Sequence, residues 1–212
     1  RSLKIRPTLL FPRKAEVNAI NEANLKAITG GKYKYDATLV YTATVNAPFD
    51  PKDDAFVRAL EAFDRDASYT TELVLAENAQ VMLLCNLAPE MGLVNGSRGV
   101  ITRFMKDAPH LPEVEFMNGV KMTVGFHSWP IEDYPSVSRA QIPLRLAYAV
   151  TIHKCQGATL DCALVDIGMN TFEYGQAYVA LSRVRSIDAL YVHDFHQSAV
   201  KVHPKVKEFY DD

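Results

Sequence analysis

Residues 141–160 read QIPLRLAYAVTIHKCQGATL, in which the mostly apolar LRLAYAV (144–150) runs straight into Thr151, His153, Lys154, Gln156 and Gly157. Two readings of that polar cluster compete. In one, a helix ends at Gly157 and its polar residues face solvent. In the other, Thr151 and His153 hydrogen-bond a phosphate backbone, Lys154 adds charge, and Gly157 permits close backbone approach.

Working outward, the same segment restarts an α/β alternation. CALVDI (162–167) reads as a strand, GQAYVALSRVR (175–185) as a helix, ALYVHDF (189–195) as a strand, and AVKVHPKVKEFY (199–210) as an amphipathic tail. Upstream, PTLLFP (7–12) is a short buried strand, followed by a helix over 13–31 with Val17, Ile20, Ala23, Leu25 and Ile28 near helical spacing and Gly30-Gly31 as its stop. DATLVYTATVN (36–46) is extended. In DPKDDAFVRALEAFDRD (50–66), Asp50 is the expected N-cap, Pro51 the first helical residue, and Phe56, Leu60 and Phe63 the apolar face.

Between Glu72 and Pro135 the pattern changes to short strands, QVMLLCN, GVITRF, EVEFM and VKMTV, with Asn118-Gly119 predicting a two-residue hairpin turn. The economical description is an α/β domain carrying an inserted antiparallel β module.

The 212 residues carry a formal net charge of -2, which argues against coating nucleic acid by bulk charge. Charge is uneven, however: residues 1–34 hold eight Lys/Arg against two acids, and 50–77 hold eight acids against three Lys/Arg. Three cysteines, Cys85, Cys155 and Cys162, form no disulfide framework and suit a reducing compartment. Arg1-Ser2-Leu3-Lys4 opens neither a signal nor a transit segment, and a first Met at Met82 suggests a piece of a longer product.

A phosphate-binding loop needs glycines ahead of Gly-Lys-Ser/Thr so that backbone N–H groups, a Lys and a metal-holding hydroxyl converge. ITGGKYK (28–34) lacks that spacing, and no strand ends in Asp-Glu to hold Mg²⁺. There is no Gly-x-Ser-x-Gly, His-Glu-x-x-His or Cys-x-x-Cys pattern. His193 and His196 fall on opposite faces of the strand, which with His203 nearby makes a poor metal site. Arg183, near the end of the 175–185 helix, is either a surface charge or an arginine offered across a cleft to a γ-phosphate.

LLFPRKAEVNAIN, QVMLLCNLAPEMGLVNGSRGVI, SRAQIPLRLAYAVTIHKCQGATL and GQAYVALSRVRSIDALYV, in that order, resemble the C-terminal half of a superfamily 1B DNA helicase of the petite integration frequency (PIF) family, related to RecD-like helicases. The resemblance runs from about Pro7 to Tyr210 and implies the second of two RecA-like domains of a 5′-to-3′ motor, an α/β fold with a parallel sheet and helices on both faces built from 1–83 and 139–212, with the β module inserted at 84–138. It makes TIHKCQG motif V, with Thr151, His153 and Lys154 toward DNA and Gln156 and Gly157 toward the nucleotide. YVALSR becomes motif VI with Arg183 as the γ-phosphate finger. LLFPRKAEVNAIN becomes motif IV, with Arg13 toward the nucleotide, Asn18 toward DNA and Phe11 in the core. The module resembles the family's inserted β-barrel, with Asn95–Gly99 as its turn and Arg98 as a DNA contact. Phe126, His127 and Trp129 are candidates for base stacking, with core packing the alternative for Trp129.

The same likeness implies ATP and Mg²⁺ in the full-length enzyme, none held by this chain alone, and no ATP hydrolysis without the first RecA-like domain. Expected partners are that domain, single-stranded DNA and forked DNA, in a nuclear, mitochondrial or bacterial or viral cytoplasmic setting. Cys155 in motif V suggests sensitivity to oxidation. The competing expectation is a stand-alone module that binds single-stranded nucleic acid or protein without motor activity.

Overall fold

The structure, a computed structural model, describes residues 5–42 and 50–211. Residues 1–4 and the 43–46 part of the predicted extended stretch lie outside them. In chain order the described strands are β1 (Thr8–Phe11), β2 (Lys32–Asp36), β3 (Thr38–Tyr41), β4 (Glu72–Ala76), β5 (Gln80–Leu83), β6 (Arg98–Phe104), β7 (Pro112–Phe116), β8 (Lys121–Thr123), β9 (His127–Ile131), β10 (Tyr134–Gln141), β11 (Leu144–Leu146), β12 (Ala149–Thr151), β13 (Ala163–Ile167) and β14 (Leu190–Phe195). The helices are α1 (Lys14–Ala27), α2 (Asp54–Asp66), α3 (Gln176–Leu181) and α4 (Pro204–Asp211). None of the described helices is long and apolar enough to cross a membrane.

β12, β1, β13 and β14, in that spatial order, form one parallel sheet. Its core joins Leu10, Val150, Val165 and Ile167 to Ala177 and Ala180 of α3, whose small side chains let the helix lie close. α1 packs against β12 and β1. Its Asn21 amide donates to the Ala149 carbonyl at 2.8 Å and accepts from the Ala149 N–H at 3.0 Å. Edge strand β12 thereby has backbone groups satisfied by a side chain rather than left open to pairing.

The inserted module is a five-stranded antiparallel sheet ordered β11-β5-β6-β7-β8. Its apolar face, including Val81, Leu83, Ile101, Val114, Phe116 and Leu144, packs with Tyr35, Leu73 and Leu75 of the β2–β4 ribbon. Both the pairing and the core therefore run past residues 84 and 138, because β5 and β11 lie outside those numbers and supply ladder partners to the sheet. A third sheet, β3-β10-β9, is covered by α2 through Phe56, Leu60 and Phe63 against Ile131 and Val137.

Four local expectations change. The N-cap of α2 is Asp53, whose carboxylate accepts from the Ala55 N–H at 2.9 Å, while Asp50 closes a turn onto Lys52 N–H ahead of it. α1 stops at Ala27 with Ile28 as its cap, before Gly30-Gly31. The β7–β8 turn is a three-residue loop: Gly119 N–H reaches the Phe116 carbonyl with Gly119 alone at positive φ, and the Asn118 carboxamide accepts from Val120 N–H. The stretch 144–157 is neither one helix nor one strand but β11, β12 and a 3-10 turn over His153–Cys155, since its apolar residues serve two different sheets.

Candidate functional site

In a parallel sheet, ligands bind in the crevice outside the carboxyl ends of the strands. Here β1 ends ahead of Arg13, β12 ends in Thr151 and the His153–Cys155 turn, and β13 ends ahead of a loop carrying Glu173. The sheet topology thus brings Arg13, Thr151, His153 and Glu173 to one edge. Arg13 is exposed and occupies the N-cap position of α1 without a side-chain capping bond. Phe11, expected in the core, is half-buried and accepts the Ile152 N–H through its carbonyl at 3.0 Å.

A groove of about 740 Å³ opens between α1, the end of α2 with the following turn, and β12. It gathers Lys14, Asn18, Asn21, Arg145, Thr151 and Lys154. Of the expected DNA contacts, Asn18, Thr151 and Lys154 fall in this groove; His153 and Arg98 do not line it. Lys14 and Arg145 were not singled out by sequence, although Lys14 follows Arg13 directly and Arg145 interrupts the apolar run LRLAYAV.

The groove's carboxylates are each engaged by a partner. Asp64 takes a bidentate contact from Arg139 at 3.1 and 2.9 Å and the Tyr69 hydroxyl at 2.6 Å. Glu72 pairs with Lys34 and Glu22 with Lys26. By contrast the cations lie together. Arg145 donates to the Ser68 carbonyl at 2.9 Å, and Lys154 Nζ donates to the Asp66 carbonyl at 3.0 Å and to that of Ala67, capping the C-terminus of α2. Burial first, then Arg145 and Lys14, push the Lys154 ammonium below its usual range, with Asp66 opposing. A cation cluster with its nearby acids already paired attracts an anion.

Thr151 is buried, and its hydroxyl accepts the Lys154 N–H at 3.4 Å, so it shapes the loop as well as lining the groove. His153 contacts the Glu173 carboxylate through Nε2. The Glu173 loop is itself ordered by Gln176, whose side-chain oxygen accepts from Phe172 and Glu173 N–H. Gln156 and Gly157 are exposed, and Gly157 sits at φ 78, a left-handed conformation that explains glycine there without any close neighbour.

Arg183 does not project outward. Its Nε donates to the Val179 carbonyl at 2.8 Å, NH2 to the Ser182 hydroxyl at 2.8 Å, and NH1 approaches the carbonyls of Ala158 and Cys155 at 3.4 and 3.5 Å. YVALSR and TIHKCQG therefore touch, through Arg183 and Cys155. Around them Met169, Phe172, Tyr174 and Tyr178 are exposed apolar side chains. All four fall within residues 169–178.

Two expectations are corrected here. Arg98 is 1% exposed, and its guanidinium donates to the Arg6 carbonyl at 2.8 Å and contacts Thr8 Oγ1, so it has no free edge for a DNA strand. It stands beside the first residue of β1, at the sheet edge opposite Arg13 and Thr151. Cys155 is fully buried, and burial pushes its thiol up to about 12, which disfavours the thiolate through which oxidation proceeds. Trp129 is half-buried between Tyr69, at a ring separation of 4.8 Å, and His127, at 4.6 Å; Phe126 remains exposed.

Comparison with known proteins gives a consistent result. The family model described as DNA helicase Pif1, 2B domain, matches residues 61–104, from the second half of α2 to the end of β6. ATP-dependent DNA helicase PIF1 of Xenopus laevis is 36% identical over 205 residues, covering 96% of this chain and 30% of that protein. The crystal structure of Pif1 helicase from Candida albicans superposes with a TM-score of 0.70 at 33% identity, over 98% of this chain and 49% of that one. A structure of two coordinating Pif1 helicases unwinding forked double-stranded DNA gives a TM-score of 0.63 at 26% identity, over 97% of this chain and 43% of that one. The chain therefore spans about a third of the length of its curated relative and about half of the solved ones.

Proposed function

We propose that this chain, homologous over nearly its whole length to part of the Pif1-family DNA helicases, supplies the second RecA-like unit and the inserted β module of an ATP-dependent 5′-to-3′ motor. The observation that carries the reading is the contact of Arg183 with the Cys155 and Ala158 carbonyls, which joins the YVALSR and TIHKCQG segments at a parallel sheet of RecA type.

In this reading the cation-lined groove takes the phosphates of a single strand, contacts available on any sequence. Lys14, Lys154 and Arg145 supply charge, while Asn18 and Thr151 supply hydrogen bonds. His153, released from Glu173, adds a further contact at the groove's end. Arg13, Gln156, Gly157 and Arg183 face the nucleotide. The first RecA-like domain docks on the exposed Phe172, Tyr174 and Tyr178 and brings the phosphate loop and Mg²⁺-holding acids that these 212 residues do not contain. ATP with Mg²⁺ supplies the driving reaction, and Arg183 turns from its backbone carbonyls to the γ-phosphate, where charge develops during transfer. The isolated chain is accordingly inert toward ATP. A forked substrate follows from the same motor role.

Fluorescence anisotropy with a labelled oligonucleotide over a salt series tests the groove. For single strands the log-log slope is about 0.7 per neutralised phosphate, so three groove cations give a slope of roughly -2. Binding that ignores salt, or that survives unchanged in Lys14→Ala with Asn18→Ala, removes the groove from the strand's path.

A further inference from the structure

A buried polar knot lies at the start of β1, where Arg6 and Thr8 meet Gln80 of β5. Gln80 of β5 accepts the Arg6 N–H at 3.0 Å and donates to the carbonyls of Arg6 and Ala147 at 3.0 and 2.9 Å. Thr8 donates its hydroxyl to the Ala147 carbonyl at 2.9 Å. Arg98, from β6 of the module, reaches into this knot: NH1 donates to Arg6, NH2 approaches Met117 Sδ at 3.2 Å, and Nε has no hydrogen-bond partner, its nearest acid being Asp161 at 4.0 Å. A buried arginine whose Nε–H lacks a hydrogen-bond partner is costly.

Asp161 belongs to the connection that carries the chain from β12 across to β13, residues 152–162. The module touches that connection twice. Beside Arg98 and Asp161, Gly96 packs so tightly that a Cβ built on it would stand 2.6 Å from the Thr159 carbonyl oxygen. The connection in turn holds Arg183 twice: the Leu160 N–H donates to the Arg183 carbonyl at 2.8 Å, and the Arg183 guanidinium lies on Cys155 and Ala158.

We propose that Arg98 is a positioning residue that fixes the β module on the 158–161 connection and, through Leu160, sets the place of Arg183. Movement of the module is then felt at Arg183 with no contact between them. The inference rests on the reading of Arg183 as the nucleotide-facing group, but the coupling itself is measurable without nucleotide or DNA.

Hydrogen exchange of the intact chain tests it, with Arg98→Lys, Arg98→Met, Asp161→Asn and Gly96→Ala compared under native conditions. The expected result is a focal loss of protection, roughly tenfold, at the amides of Leu160 and Ser182–Arg183, with the β7–β8 hairpin and the β13–β14 pairing unchanged. Arg98→Lys should fall between wild type and Arg98→Met. If Arg98→Met does not fold, Arg98→Lys and Gly96→Ala carry the same test from the two separate contacts. A uniform loss across all amides, or a loss confined to β5–β6, would show that Arg98 only fills the core and would overturn the coupling. Failure here leaves the salt-dependent strand binding of the groove standing as a separate result.

Discussion

The Arg183 guanidinium rests on the carbonyl oxygens of Ala158 and Cys155, at 3.4 and 3.5 Å, so the end of α3 and the loop after β12 form one structural unit. These are long hydrogen bonds to neutral acceptors, weaker than those an arginine makes to phosphate. A γ-phosphate in reach competes well for the group.

Replacing Arg183 by Ala, in this chain joined to a Pif1-type phosphate-loop domain, should therefore lower ATP hydrolysis by about 10³-fold or more while single-stranded DNA binding stays within a factor of a few. Arg183→Lys should recover little, because a point charge does not reproduce the planar fork. Steady-state ATPase and anisotropy on the same preparations check it; an unchanged rate removes Arg183 from the chemistry.

Lys154 makes a pH prediction. Its ammonium is shifted below the usual lysine range chiefly by burial and then by Arg145 and Lys14. The unfolded chain therefore holds this proton more tightly than the folded one, and stability attributable to the group rises as pH climbs through the depressed value toward about 10.5. Measured by urea unfolding, wild type should gain on Lys154→Met between pH 7 and 10. A difference that is flat, or that falls, contradicts the depression of the Lys154 ammonium by burial and its neighbouring cations.

Cys155 should be silent to thiol reagents. Its thiol is fully buried and pushed up to about 12, whereas Cys85 and Cys162 are partly exposed. A disulfide reagent should label at most two cysteines in the folded chain and all three in denaturant. Cys155→Ser, which buries a hydroxyl in an apolar cluster, should cost about 1–3 kcal/mol unless it finds a partner.

The α2 cap separates two neighbouring aspartates. Asp53→Ala should cost about 1 kcal/mol in thermal or urea unfolding, because it frees the Ala55 N–H at the helix start. Asp50→Ala removes only an exposed turn bond to Lys52 and should cost less. Equal losses would place the cap at Asp50 after all.

The α/β alternation, the buried strands at 8–11 and 163–167, the apolar face of α2 and the β character of the module follow from the sequence, because spacing of apolar residues fixes which face of a local element is buried. TIHKCQG and YVALSR stand out in the sequence because both are local and distinctive in residue type, and the structure brings them into contact through Arg183 and Cys155. What the sequence alone could not determine is which segments share a sheet: LRLAYAV divides between the module and the parallel sheet, and only long-range pairing decides that. The same reason governs the charges. Arg98 and Lys154 are alike as polar residues in a turn or loop, yet tertiary packing buries one in the knot beside β1 and sets the other on the end of α2 beside Arg145, where a groove opens. A side chain's type is a local property; its solvent, partners and pKa are properties of the neighbours that folding brings to it.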